Sequence, residues 1–248
     1  MTESIGQEFL RRTCYTELSK SPQELGTIPQ PPLEISAPEG AVLIDLPAID
    51  SIKVTEMDLR QAIEGRKSLR KYADTPLTTE ELTYLLWVSQ GVKHISTRPS
   101  TARNVPSAGA RHAFGTYLLI NNVEGIKSGL YRYLAIENKL LALEADPQIN
   151  ALVTSACLDQ QQVAFSAVTF LWVAVVERMY WRYVERGYRY LFLDAGHVCQ
   201  NLALGAEQLG CGICPIAAYN DDEINGVLGL DGKEQFVIYI ASLGKKLK

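Results

Sequence analysis

Four cations and a hydroxyl fall within six consecutive residues, Arg66-Lys67-Ser68-Leu69-Arg70-Lys71. Arginine offers a planar fork of donors and serine adds a hydroxyl, so such a run suits an anion, a phosphate above all. A solvated face is the plainer reading of any charge run, and both stand at this point. A second basic group, Gly244-Lys245-Lys246, ends the last apolar stretch and could converge with the first on one phosphate. Cys211-Gly212-Ile213-Cys214 has the spacing of a dithiol centre or of half a zinc site. The remaining cysteines (Cys14, Cys157, Cys199) and histidines (His94, His112, His197) are not paired at ligand spacing. Buried structural thiols are therefore the favoured reading. His197 follows Asp194 by three residues, a spacing that suits a proton donor but more often marks a satisfied core pair.

Helical periodicity accounts for the segments around these residues. Thr55 with Asp58 suggests a capped start, and Leu59, Ala62 and Ile63 stripe a short helix ending near Gly65. Thr78 with Glu81 forms a second capping box, followed by Leu82, Leu85, Leu86 and a stop at Gly91. A polar loop over residues 96–110 leads to a strand at 115–120 and a hairpin over 129–143 that turns at Glu137-Asn138-Lys139. The pattern predicts a helix over 146–157 and a doubly buried strand over 163–176. Leu191, Ala195, Val198, Leu202, Ala206 and Leu209 recur at helical spacing within 178–209, with Gly187 as a break. The surplus apolar surface of this second helix predicts burial at a domain centre or a dimer interface. A short helix over 221–228 and a closing strand over 235–243 complete an α+β order.

Six of the eleven prolines (Pro22, Pro29, Pro31, Pro32, Pro38, Pro47) fall in the first fifth of the chain, which excludes a regular helix or central strand there. Residues 1–50 are read as a proline-rich arm with spaced apolar anchors, and 51–248 as the main domain. The 248 residues carry 24 Lys+Arg against 28 Asp+Glu, a net charge of −4, which argues against a nucleic-acid binder. The first ten residues lack a basic segment followed by an apolar core, so no secretory signal and a cytoplasmic location are expected. The apolar run 163–176 is broken by Ser166 and Thr169 and falls short of the roughly 20 residues of a membrane helix. There is no phosphate loop, and no glycine-rich dinucleotide fingerprint follows a strand.

Several ordered segments together carry a resemblance: G-R-K-S-L-R-K-Y (65–72), P-L-T-T-E-E-L-T-Y-L-L-W-V-S-Q-G-V (76–92), P-S-A-G-A (106–110), G-L-Y-R-Y (129–133), R-Y-L-F-L-D-A-G-H-V-C-Q-N-L (189–202) and A-S-L-G-K (241–245). From about Pro29 to Lys246 the chain resembles the nitroreductase superfamily of FMN-dependent enzymes, and most of all its azoline dehydrogenase branch. The resemblance implies an α+β fold with an antiparallel or mixed sheet flanked by helices, built as an intertwined homodimer with FMN at the subunit interface. Arg66, Lys67, Ser68 and Arg70 match the residues that hold the ribityl phosphate and pyrimidine edge. Arg70 would stand near N1 and O2, where a cation raises the flavin potential. Lys245 and Lys246 match basic residues on the same phosphate, so that the local cations at 66–71 and 245–248 face one group.

By the same resemblance, Pro106, Ser107, Ala108 and Ala110 reach FMN from the other subunit. Pro215, Ile216, Ala217 and Ala218 match the region whose backbone amides face N5, with Ala217 in place of an acidic residue and Ala218 in place of Gly. Arg182 and Tyr183 match a Lys-Tyr pair tied to proton removal. Arginine is a poor base, which weakens azoline oxidation by that route and leaves Tyr183 as the acid or base. The expected activity is hydride transfer through flavin N5 to nitro or quinone-type compounds, with NAD(P)H bound transiently. The alternatives are azoline dehydrogenation of a peptide substrate, a catalytically inactive flavin-binding or scaffolding subunit, and a zinc or dithiol protein.

Overall fold

The computed structural model describes residues 2–97, 99–144, 146 and 148–247; Arg98 of the polar loop and Lys248 of the terminal cations lie outside the described residues. Val168–Val175 (β7) is buried at every position and sits inside a seven-stranded sheet. Its neighbours are Phe114–Ile120 (β4) and Gln235–Lys245 (β9). Beyond β4 come Gly129–Leu134 (β5), Lys139–Glu144 (β6) and Leu43–Asp45 (β1); Cys211–Ile216 (β8) closes the other side. Every ladder of this sheet is antiparallel. A separate hairpin joins Val92–Ile95 (β2) to Thr101–Arg103 (β3).

The period-2 alternation gives the sheet two apolar faces. Leu118, Phe170, Trp172, Cys211 and Ile213 pack with Thr79–Gln90 (α4), Val176–Tyr183 (α7) and Gly187–Gln208 (α8). Leu119, Leu171, Val173, Cys214 and Ile216 pack with Ile149–Ala156 (α5), Gln161–Ala164 (α6) and Asp221–Val227 (α9). Cys211 and Cys214 thus face opposite sides of one strand, as residues three apart on β8 must. All five cysteines are free thiols, and burial pushes Cys211 up to about 12. This geometry separates the two thiols and supports the structural reading.

The helix starts follow from capping. Thr78 Oγ1 accepts from Glu81 N at 3.2 Å while Thr78 N donates to Glu81 Oε2 at 3.0 Å. Asp58, not Thr55, is the N-cap of Leu59–Gly65 (α3), because its carboxylate accepts from Arg60 N and Gln61 N. The predicted strand at 163–176 begins at Val168, since 161–164 form α6. The predicted loop at 96–110 contains β3, and the chain reverses through β2 and β3.

Contrary to expectation, the prolines do not exclude helix from the first fifth: Ile5–Arg12 (α1) lies before them and Pro22–Leu25 (α2) begins on the first of them, both opened by serine capping boxes, because proline is tolerated at the first helical position. The proline-rich stretch after α2 runs along the domain by backbone carbonyls. Trp181 Nε1 donates to Ile28 O at 2.9 Å, Arg178 Nε to Pro32 O at 2.9 Å and Arg132 Nη2 to Ser36 O at 2.8 Å.

Candidate active site

Residues 66–70 leave α3 in an extended conformation and run beside the free edge of β8. Leu69 N donates to Ile213 O at 2.8 Å, and Ser68 bridges Ile213 in parallel. Two glycines permit the approach: a Cβ on Gly212 would stand 2.7 Å from Leu69 Cδ2, and one on Gly244 would stand 2.7 Å from Tyr72 Cγ. Leu69 therefore turns onto the sheet while Lys67, Ser68 and Arg70 are exposed and Arg66 is half-buried. Among the described residues, none of Arg66, Lys67, Arg70 and Lys71 forms an ion pair. Burial raises the Cys214 thiol, and the Arg70 charge partly offsets it, which places that guanidinium close to β8.

Lys245 and Lys246 reach the same edge, where Ala73 N donates to Lys245 O at 2.9 Å. Their ammonium groups are engaged by carboxylates: Lys245 pairs with Glu81, and Lys246 pairs with buried Glu207. The cation run and the terminal lysines are thus neighbours, but the lysine charges are already matched. Pro215 and Ile216 end β8 in register with Ala241 and Ile240, and Ala217 and Ala218 follow, exposed.

A second group gathers at the N-terminal half of α8. The Asp194 carboxylate accepts the Ala108 amide, at 3.3 Å to each oxygen, and the Ser107 side chain also bonds it. Burial raises the Asp194 carboxyl, and the donors from Ser107 and Ala108 offset part of that rise. The loop Pro106–Ala110 is held on α8 by this buried charge. It then passes through left-handed backbone at Gly109 (φ 57°) and Ala110 (φ 53°), which brings Gly109 against Tyr183 and Arg182. Arg111 Nε donates to Gly109 O at 3.2 Å and its guanidinium lies 5.3 Å from the Trp181 ring centre.

Arg182 and Tyr183 also line a cavity of about 460 Å³ whose opposite wall is Tyr15, Lys20, Ser21 and Glu24. The Tyr183 ring meets Tyr190 edge-on at 4.9 Å, and Tyr15 Oη is 2.8 Å from Tyr190 Oη. The N-terminal residues are thereby tied to α8 through Tyr190, whose ring in turn packs against Tyr183 at the end of α7. His197 does not join Asp194 in the core; it is exposed on the outer face of α8, because Asp194 turns inward to Ala108. Sequence reasoning passed over His112, which is buried beside Arg103 and Arg111 and pushed down to about 3 by burial and those two charges. No spacing signal marks it, since Arg103 comes near only through the β2–β3 hairpin.

Asp194 and Glu207 lie 13 residues apart on α8, roughly 20 Å along its axis. The loop held by the first and the cation run beside the second therefore form two separate clusters on one chain. Residues 63–245 match the family model described as the nitroreductase family. The chain belongs to the nitroreductase family. A Methanocaldococcus jannaschii protein named as a nitroreductase, MJ1384, is 30% identical over 205 residues, 83% of this chain and 97% of that protein. The trifolitoxin-processing protein TfxB of Rhizobium leguminosarum is 27% identical over 194 residues, 75% of this chain, which spans 52% of TfxB. A crystal structure from Anabaena variabilis, described as a nitroreductase, superposes with a TM-score of 0.67 at 26% identity over 86% of this chain and 45% of that one. Nitroreductase-family membership makes the chain an oxidoreductase, and among its described residues no helix is long and apolar enough to cross a membrane. The first 62 residues, including Tyr15, Lys20 and Glu24 of the cavity wall, lie outside the matched segment.

Proposed function

We propose that this chain is an FMN-dependent oxidoreductase working as a homodimer. The observation that carries the reading is the donor set along β8: four cations and the Ser68 hydroxyl in one extended run, exposed except for half-buried Arg66, with none of the cations claimed by a carboxylate among the described residues. That chemistry fits a phosphate monoester joined to a polar ring edge. Arg66, Lys67 and Ser68 would hold the phosphate, and Arg70 the pyrimidine edge. When bound, FMN supplies a two-electron carrier that exchanges hydride at N5. Pro106, Ser107, Ala108 and Ala110 would contribute from the second subunit, and the roughly 20 Å along α8 between Asp194, which holds that loop, and Glu207, beside the cation run, supports such sharing. Pro215, Ile216, Ala217 and Ala218 would border the ring through backbone groups.

Tyr183 would hold or move a proton at the substrate, with Arg182 beside it as a fixed positive charge rather than a base. The substrate would enter the cavity between this pair and Tyr15. NAD(P)H would visit the same site, and nitro or quinone-type compounds are the proposed acceptors.

A second reading has its own support: TfxB is named as a toxin-processing protein, which favours azoline dehydrogenation on a peptide. Purified protein is to be reconstituted with FMN, gel-filtered and scanned in the visible region, then offered NADH or NADPH with a nitroaromatic acceptor. A retained flavin band with turnover is expected. Absence of any flavin band overturns the proposal, and a flavin that oxidises only an azoline peptide transfers the assignment to the second reading.

A further inference from the structure

Away from both clusters, three guanidinium groups are buried around a single carboxylate. Arg103 on β3, Arg132 on β5 and Arg178 on α7 line one small cavity with Glu34, and these arginines are 7%, 8% and 4% exposed. No Glu34 oxygen comes within the 4.0 Å of an ion pair with any of them. Glu34 accepts instead from Ala135 N at 2.6 Å and Ile136 N at 3.4 Å. Arg103 donates to Thr101 Oγ1 and to Gln90, Arg178 to Pro32 O, and Arg132 Nη2 to Ile35 O and Ser36 O. Arg132 Nε is buried without a partner.

The charge balance of this chamber is therefore positive by two with Glu34 ionised. Burial raises the Glu34 carboxyl, and its protonation would only enlarge the excess. Burial and the neighbouring Arg103 charge bring Arg178 down to about 10, so it stays cationic at neutral pH. Buried charges of one sign without a counter-charge are costly, and an orphaned buried donor calls for a partner that is not protein.

The cavity is small, about 10 Å³, enough for a single compact species rather than an extended ligand. A water molecule would satisfy Arg132 Nε but leave the charge unmatched. The geometry points to a monoatomic anion, chloride under ordinary conditions, bound between Arg103, Arg132 and Arg178. Such an ion closes the chamber beneath residues 32–36 and ties that stretch to the sheet. It is independent of the flavin reading, since none of these residues belongs to either cluster of the candidate site.

Two measurements on the full chain decide it. Crystals grown with sodium bromide in place of chloride are expected to show an anomalous peak within hydrogen-bond range of Arg132 Nε; a water or empty density there overturns the site. The thermal midpoint at constant ionic strength, with gluconate exchanged for chloride, is expected to rise with the logarithm of chloride concentration above the dissociation constant, by roughly 3–6 °C at ten times that constant. A transition that follows ionic strength alone overturns it as well. Glu34→Gln removes the competing negative charge and is expected to tighten chloride binding, whereas a purely structural Glu34 would leave the chloride dependence unchanged. Arg132→Met is expected to abolish that dependence; should it fail to fold, the wild-type bromide map and the Glu34→Gln titration decide.

Discussion

Gly109 and Tyr183 are in direct contact, with no room for a methyl group between them: a Cβ built on Gly109 would overlap the Tyr183 hydroxyl and stand 3.2 Å from Arg182 Cδ and Cζ. The backbone of Gly109 is also left-handed, which any side chain resists. Gly109→Ala is therefore expected to push Tyr183 out of place or to lift the loop off α8. Because a misplacement of about 1 Å can cost on the order of 100-fold in rate, turnover should fall by about that factor while far-UV circular dichroism is kept. Steady-state kinetics of the reconstituted variant check this, and unchanged turnover would remove Tyr183 from the reacting centre.

Tyr183→Phe takes away the hydroxyl and little else, since its ring packing against Tyr190 is apolar. If the hydroxyl moves the proton, turnover falls by about 100-fold or more. FMN affinity should not change, which a flavin fluorescence titration reads separately.

Glu81 does two jobs at one corner: its Oε2 accepts from Thr78 N and caps α4, and its other oxygen engages Lys245. Glu81→Gln preserves a capping acceptor and frees the lysine charge beside the cation run. The expected result is a few-fold tighter binding of FMN and of inorganic phosphate, with a steeper salt dependence. Equal affinity in the two proteins would place Lys245 away from the phosphate.

Local chemistry made much of this fold legible. The Thr78–Glu81 box is visible in four residues, and β7 is apolar at almost every position because both of its faces are covered. β8 was harder to see, because C-G-I-C-P-I is short and holds a proline and a glycine; it becomes a strand by pairing with β9. The engagement of Lys245 by Glu81, 164 residues earlier, is a property of the closed fold, and no spacing rule reports it. Asp194 was visible as a helix residue, yet its turn toward Ala108 rather than His197 depends on where the 106–110 loop arrives. The capping boxes of Ser4 and Ser21 were readable but were overshadowed by the prolines that follow.

His112 is neutral in the fold, its pKa pushed down to about 3 against an ordinary 6.5. The unfolded chain therefore binds a proton more readily than the folded one between those values. Stability that is complete above pH 6.5 is lost as pH falls through that window, by up to about 1.4 kcal/mol per pH unit. His112→Asn keeps a residue that tolerates the left-handed backbone at this position (φ 43°) and removes the titration. Urea midpoints measured from pH 7 to 4 should fall less steeply for the variant, and parallel slopes would assign the acid sensitivity elsewhere.

The outer face of α8 carries the last prediction. Leu191, Ala195, Val198 and Leu202 turn to the sheet, whereas Phe192 and Leu193, 59% and 61% exposed, turn away with Gly196, His197 and Gln200. These five lie at helical spacing on one side, and a Cβ on Gly196 would meet nothing within 4 Å, so another helix could approach closely there. Two large apolar side chains next to a flat glycine are costly in water and are stabilised when covered. If a second copy covers them, Leu193→Asp buries a charge at that contact and should yield monomer by light scattering. The monomer should keep its helical circular dichroism, since Leu193 takes no part in the core. It should also lose FMN, because the Pro106–Ala110 loop of the second copy would be absent. A monomer that still binds FMN as tightly as the wild type would show that one chain holds the cofactor alone.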